Sequence, residues 1–231
     1  MTATITTSHH TDHAARAALL DQLAILARQP GGVGGHDFAS LLSLVAGESG
    51  FMAHAVNHRT GAHGPFQFIK TTWLSLVRSH GDALGIKPEL IAQIVDNAKG
   101  RPTIADPSVL KNVLALRDDM SVAARAAAFY LDDNRAQLSR SLHRTPSDAE
   151  LRLSFLLGAH GAAKLIHAAT KTPEINAALV LPHAAAANRS LFYDAAGDAR
   201  SAKAVLTFLD HKFHKDAAKY AAYARAQDSN G

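Results

Sequence analysis

The chain has 231 residues, of which 47% are hydrophobic and 19% charged, with no cysteine and a formal charge of +4. That length fits one large or two small domains; the apolar share excludes disorder over most of the chain, and the missing cysteines exclude a disulfide framework or a thiolate metal site. The 24 lysines and arginines form no block interleaved with aromatics, so nucleic-acid binding is not expected, and the mild positive charge with 14 histidines suits another anionic polymer, such as cell wall.

No apolar run is long enough to span a bilayer. The opening "MTATITTSHHTDHAARAALL" lacks the basic-then-apolar pattern of a signal peptide, so no export signal is visible in the sequence. Alanine and leucine recur while β-branched runs are scarce, which predicts an all-α protein.

Residues 1–12 are polar and rich in Thr and His, and are expected to be disordered. Leu19, Leu23 and Leu26 share a helical face before "QPGGVGG" breaks the chain. Phe38, Leu41, Leu42 and Val45 repeat the spacing behind an Asp37 N-cap, and that helix runs into Glu48. The stretch "GESGFMAHAVNHRTGAHGPFQFIKTTW" leaves room for at most a short β-hairpin near residues 54–68. Thr71 or Thr72 is the expected cap of a helix burying Trp73, Leu76 and Val77, with Trp73 read as core rather than as a sugar platform.

Pro88 suits the first turn of a helix with Ile91, Ile94, Val95 and Ala98 on one face, closed by Gly100. Asp106 and Pro107 open the next helix, and Ser121 another through "VAARAAAFYLDDN". Thr145, Pro146 and Asp148 resemble a capping arrangement before Leu153, Leu156 and Leu157, and Gly158 and Gly161 punctuate the following junction. At least two more helical segments surround "AAAANRSLFYD" and "AKAVLTFLDHKFHKDAAKYAAYA". The organisation read from these signals is a tail at 1–12, a globular core at 13–170 and a helical extension at 171–231 packed on the same single domain.

Glu48 is the residue with chemistry to explain. A carboxyl at the C-terminal end of an apolar helix meets the negative end of the helix dipole, and burial acts in the same direction, so the acid can stay protonated and serve as a general acid. Ser49 and Gly50 turn the chain and expose it at the lip of a groove. Downstream, Gly61 and Gly64 permit close backbone approach, Gln67 offers an amide donor and acceptor, and Phe66 and Phe68 flank it with apolar faces. Such groups suit a sugar.

"ESGF", the spaced "TGAHGPFQF" and "TTWL" resemble the Glu-Ser and Gly-Leu-Met-Gln motifs of the soluble lytic transglycosylase (SLT) family within the lysozyme-like superfamily. "YL" at Tyr130 and Leu131 resembles another core signature of that family, and the likeness extends over roughly residues 14–195. Pro65 stands where the family commonly has leucine and Phe66 where it has methionine. The third motif, often Ala-Tyr-Asn-Ala-Gly, has its place taken by "SFLLGAHG", without the tyrosine; Tyr130, Tyr193 and His160 are the candidates to replace it.

The resemblance implies a lysozyme-like (SLT-type) domain that cleaves the β-1,4 bond between N-acetylmuramic acid and N-acetylglucosamine in peptidoglycan. By position, Glu48 is then the catalytic acid and base, with Ser49, Gly64, Phe66 and Gln67 at the substrate. No second acid lies between Glu48 and Lys70 and the next is Asp82, although folding could bring Asp82, Asp96 or Asp132 near; this favours a single-acid mechanism over paired-carboxylate hydrolysis. The alternatives are a lysozyme-like muramidase, or a non-catalytic wall-binding module of a secretion, flagellar or phage apparatus. His54, His58 and His63 crowd one loop, but their glycine-containing context does not suit a metal site, so neither metal nor organic cofactor is expected. The expected partner is the glycan strand, the expected state a monomer, and the expected location the periplasm or wall.

Overall fold

The computed structural model describes residues 54–58 and 60–228. Glu48, Ser49, the expected tail at 1–12 and the two helices expected before Glu48 lie outside the described residues. The described chain is mostly helical with a few short strands. It divides into two compact units: residues up to Phe129, together with those from Tyr220 on, and Tyr130–Lys219.

In the first unit, β1 (Val56–Asn57) pairs antiparallel with β2 (Ala62–His63), with Val56 opposite His63. Helix α1 (Lys70–His80) follows and buries Trp73, Leu74, Leu76 and Val77. Its cap is not a threonine: Ile69 is the N-cap, in extended backbone and without a side-chain hydrogen bond, so Thr71 and Thr72 fall inside the first turn. The Trp73 amide donates to the Ile69 carbonyl, and His63 bridges to Phe68 just before, so the backbone itself sets the start of the helix.

The helix expected from Pro88 to Gly100 is corrected. Helix α2 ends at Ile91 (Pro88–Ile91), and Val95–Asp96 forms β3, antiparallel to β4 (Pro102–Thr103). Asn97 is the cause: its side-chain oxygen accepts from the amides of Lys99 and Arg101, and Gly100 adopts φ 65°. A local side-chain-to-backbone turn of this kind outcompetes helical hydrogen bonding, and Val95 is left exposed rather than on a buried helical face. The structure therefore has one more short hairpin than the one expected near residues 54–68.

Helix α3 (Pro107–Ala115) opens as expected, with the Asp106 carboxylate accepting from the amides of Ser108 and Val109 and proline at N1. A 3₁₀ turn, Leu116–Asp118, leads into α4 (Met120–Leu142). Five of its alanines, Ala123, Ala124, Ala126, Ala127 and Ala128, are buried in the first unit.

In the second unit, α5 (Asp148–Lys171) starts from Ser147 rather than Thr145. Ser147 and Glu150 form a reciprocal capping box, and Arg144 grips the Glu150 carboxylate with both terminal nitrogens at 2.7 and 2.6 Å. That pair holds the Glu150 carboxyl below its ordinary range. Gly158 interrupts α5 with φ 71° and ψ 159°, while Gly161 lies within its continuation. Short helices α6 (Ala177–Val180), α7 (Pro182–Ala187) and α8 (Arg189–Phe192) precede the long α9 (Ala202–Asp228). Leu138, Leu153, Leu165, Phe192, Val205 and Leu209 lie at the centre of this unit's apolar core.

Candidate functional site

The segment from His54 to Phe68 is a knot tied by backbone and one side chain. Gly64, Pro65, Phe66 and Gln67 make a turn closed by the Gln67 amide donating to the Gly64 carbonyl at 3.2 Å. Pro65 takes the second position, where its fixed φ is favourable and preorganises the turn. The Gln67 side-chain nitrogen donates to the carbonyls of both Ala55 and Gly64, each at 2.8 Å. Ala55 also receives the Gly64 amide at 2.9 Å, so the two ends of the loop meet on one carbonyl.

Gln67 adopts φ 49°, a left-handed conformation uncommon for a residue with a long side chain. Such strain persists only where surroundings over-determine it. Its side-chain nitrogen is committed to two carbonyls, so among the described residues the acceptor Oε1 is the part of the Gln67 amide that remains to be used.

The phenylalanines do not flank a ligand. Phe66 is 1% exposed and Phe68 3%; their rings stack at 6.4 Å, and Phe68 packs on Trp73 at 5.6 Å. Trp73 is fully buried, with Nε1 donating to the Val113 carbonyl at 2.8 Å, in keeping with a core role. The aromatic alternation anchors the loop from beneath, and Phe66 presents no face to a substrate.

The 3₁₀ turn braces this loop, a role that sequence reading missed. A Cβ placed on Gly64 would sit 2.2 Å from the Arg117 carbonyl oxygen, and Gly64 has φ 78°, so both sterics and conformation demand glycine there. The Arg117 guanidinium, 8% exposed, donates to the carbonyls of Gly61, Phe68 and Leu114. Burial pulls its pKa below the ordinary value, with the neighbouring Asp118 charge opposing.

Asp118 faces two imidazoles. His63 Nε2 lies 3.0 Å from Oδ2 and His54 Nδ1 lies 3.4 Å from Oδ1, and Oδ1 is buried without a hydrogen bond among the described residues. No group of three His, Cys, Asp or Glu side chains among the described residues is arranged to hold a metal ion. A cavity of about 440 Å³ opens beside the turn, bordered by His63, Lys111, Arg117 and Asp118 over an apolar floor that includes Leu110 and Leu114. Only tertiary folding joins Arg117 and Asp118 to a loop more than fifty residues earlier, and no sequence spacing announces it.

Of the other carboxylates considered, Asp82 is exposed, Asp96 pairs with Arg78 at 2.8 Å, and Asp132 is exposed in the second unit.

The three candidates for the missing tyrosine all belong to the second unit. Tyr130 packs edge-on against Phe155 with centroids 5.3 Å apart, and its hydroxyl lies 4.0 Å from where a Cβ on Gly158 would stand. Its ring and hydroxyl thus border "SFLLGAHG", the segment that lacks a tyrosine of its own. His160 is exposed. Tyr193 lies beneath the Arg189 guanidinium at 4.6 Å, and its carbonyl accepts from Arg200 at 2.7 Å. The Tyr193 ring thus meets one arginine and its backbone another, and Tyr130 sits at the helix break. No protein-family model matches the chain.

Proposed function

We propose that the protein is a peptidoglycan lytic transglycosylase that cleaves the N-acetylmuramic acid β-1,4-N-acetylglucosamine bond without consuming water. The observation that carries this reading is Gln67: a strained backbone and a doubly anchored amide nitrogen hold one carbonyl oxygen ready, within the "ESGF…TGAHGPFQF" pattern. An acceptor fixed in this way suits a ligand that presents hydroxyl or N-acetyl N–H groups, as a glycan of amino sugars does.

In this mechanism the Glu48 acid gives its proton to the glycosidic oxygen as the bond to C1 breaks. The resulting carboxylate takes the proton from the muramic acid C6 hydroxyl as that oxygen closes on C1, leaving a 1,6-anhydro ring and restoring the acid. Acid–base assistance of this sort is worth about 10²–10⁴-fold. Tyr130, Tyr193 and His160 stand as the candidates for the missing motif tyrosine. The substrate requires that the working protein reach the periplasm or wall.

Digestion of purified sacculi by wild type and by Glu48→Gln, followed by mass analysis of soluble products, tests the proposal. Anhydro-muropeptides from wild type and almost none from Glu48→Gln are expected. Products heavier by one water, with free reducing ends, identify a muramidase instead. Sacculus binding without soluble product, unchanged by Glu48→Gln, identifies a non-catalytic wall-binding module and overturns the enzymatic reading.

A further inference from the structure

The Gly64–Gln67 turn is braced from a distant segment by two adjacent residues of different character. Arg117 contributes fixed hydrogen bonds, because its guanidinium stays charged across the working pH range and is anchored on three carbonyls. Asp118 contributes contacts whose strength depends on protonation, because both partners across from it are imidazoles.

The two histidines sit together at the open end of the β1–β2 hairpin, His54 just before β1 and His63 at the end of β2. His54 stands next to Ala55, whose carbonyl receives both Gly64 and Gln67; His63 stands next to Gly64 itself. A single carboxylate therefore touches the loop immediately before its first anchor and immediately before its turn. The burial of Oδ1 without a hydrogen bond among the described residues gives this arrangement direction. A buried carboxylate oxygen with no donor is costly, and His54 Nδ1 at 3.4 Å is the group placed to relieve it.

We propose that Asp118 is a positioning residue for the Gly64–Gln67 turn, clamping it through His54 and His63 most firmly when those imidazoles are protonated. The proposal rests on the reading of Gln67 as a sugar-binding residue for its functional consequence, but the clamp itself is a property of the fold. Among the described residues, the other charged groups around Asp118 are Arg117 on the same turn and Lys111 of α3 on the shared cavity. Both are cations through the histidine range, so neither reverses the direction of the effect. Asp119, the next residue, caps the start of α4 by accepting from Val122.

Backbone hydrogen exchange of the Gly64 and Gln67 amides, corrected for the intrinsic rate, reads the clamp in the full chain at pH 5.5 and pH 8. Wild type should show about five- to tenfold greater protection at the lower pH, the size expected of a hydrogen bond gaining a charge. Asp118→Asn should remove that pH difference and lower protection at pH 5.5. His63→Gln, which keeps a side-chain N–H donor but does not titrate, should restore much of the protection while flattening its pH dependence.

Equal protection in wild type and Asp118→Asn at both pH values overturns the proposal. Sacculus binding measured on the Glu48→Gln background gives the functional arm, where adding Asp118→Asn should weaken binding several-fold at pH 5.5 and little at pH 8. Exchange behaving as expected in a protein that leaves sacculi uncut upholds the clamp and removes the enzymatic reading. Cleavage by a protein whose exchange ignores Asp118 does the reverse.

Discussion

Two glycines mark the two regions that matter most, and the structure uses them for opposite reasons. Gly64 is enclosed: its Cα faces the Arg117 carbonyl, its amide is tied to Ala55, and its carbonyl receives Gln67 twice. Among the described residues, a Cβ on Gly158 would meet only the Tyr130 hydroxyl, at 4.0 Å, and the φ and ψ of Gly158 fall in a region that essentially only glycine occupies. The first glycine lets two backbones touch. The second lets one helix stop and restart beside a phenol. The turn is held by a guanidinium and a carbonyl about fifty residues away, and the helix break by the Asn134 side chain, which donates to the Ser154 carbonyl one turn before Gly158.

Gly64→Ala should do the greater damage, because it adds left-handed strain to a backbone collision that no rotamer can relieve. Together these should cost about 2–4 kcal/mol in chemical denaturation of the first unit. Gly158→Ala should cost about 1–2 kcal/mol, since only conformational strain is involved. Its sharper effect should be on sacculus cleavage, through the carbonyls and amides beside Tyr130. Equal losses from the two substitutions, or no loss from Gly64→Ala, would break the distinction between a braced turn and an open break.

The smallest expected effect concerns how α5 is fastened in the second unit. Arg144 holds Glu150 below its ordinary carboxyl range, so the pair stabilises the fold above the unfolded-state pKa of about 4.3 and is lost as pH falls through the lower folded value. Arg144 is half exposed, which limits the contribution to about 0.5–1 kcal/mol. Glu150→Gln should flatten the acid limb of a stability-against-pH curve followed by circular dichroism. An unchanged acid limb would show that α5 does not depend on this contact.

Features whose cause is local were legible in the sequence. The Asp106–Pro107 start of α3, the Pro88 start of α2, the burial of Trp73 and the interruption at Gly158 all follow from capping, proline geometry or apolar spacing. Errors arose where two local signals competed. Periodicity through Ile94, Val95 and Ala98 suggested helix, but Asn97 closes a turn on its own backbone and a hairpin results. At α5, Thr145 and Ser147 both qualify as caps; Glu150 decides for Ser147, because three residues is the separation that lets both side chains reach back.

The site divides along the same line. Gly64 drew notice in the sequence because glycine permits close backbone approach, and the structure shows such an approach to the Arg117 carbonyl; Gln67 drew notice for its amide, whose nitrogen the structure ties to two carbonyls. Phe66 was misread as a ligand face, since alternation along a short segment does not say which side is core. Arg117 and Asp118 had no signal at all: their importance comes from a separation of about fifty residues closed by folding.

Trp73 is the only tryptophan in the chain. It belongs to the first unit, has no solvent contact, and packs against Phe68 at the foot of the Gln67 loop. The molecule therefore carries its own optical probe, and that probe sees one unit and not the other. Heating or denaturant will shift its emission when the first unit opens, whereas far-ultraviolet ellipticity reports helices of both. Coincident curves would mean that the two units melt together, and separated curves that each has a stability of its own.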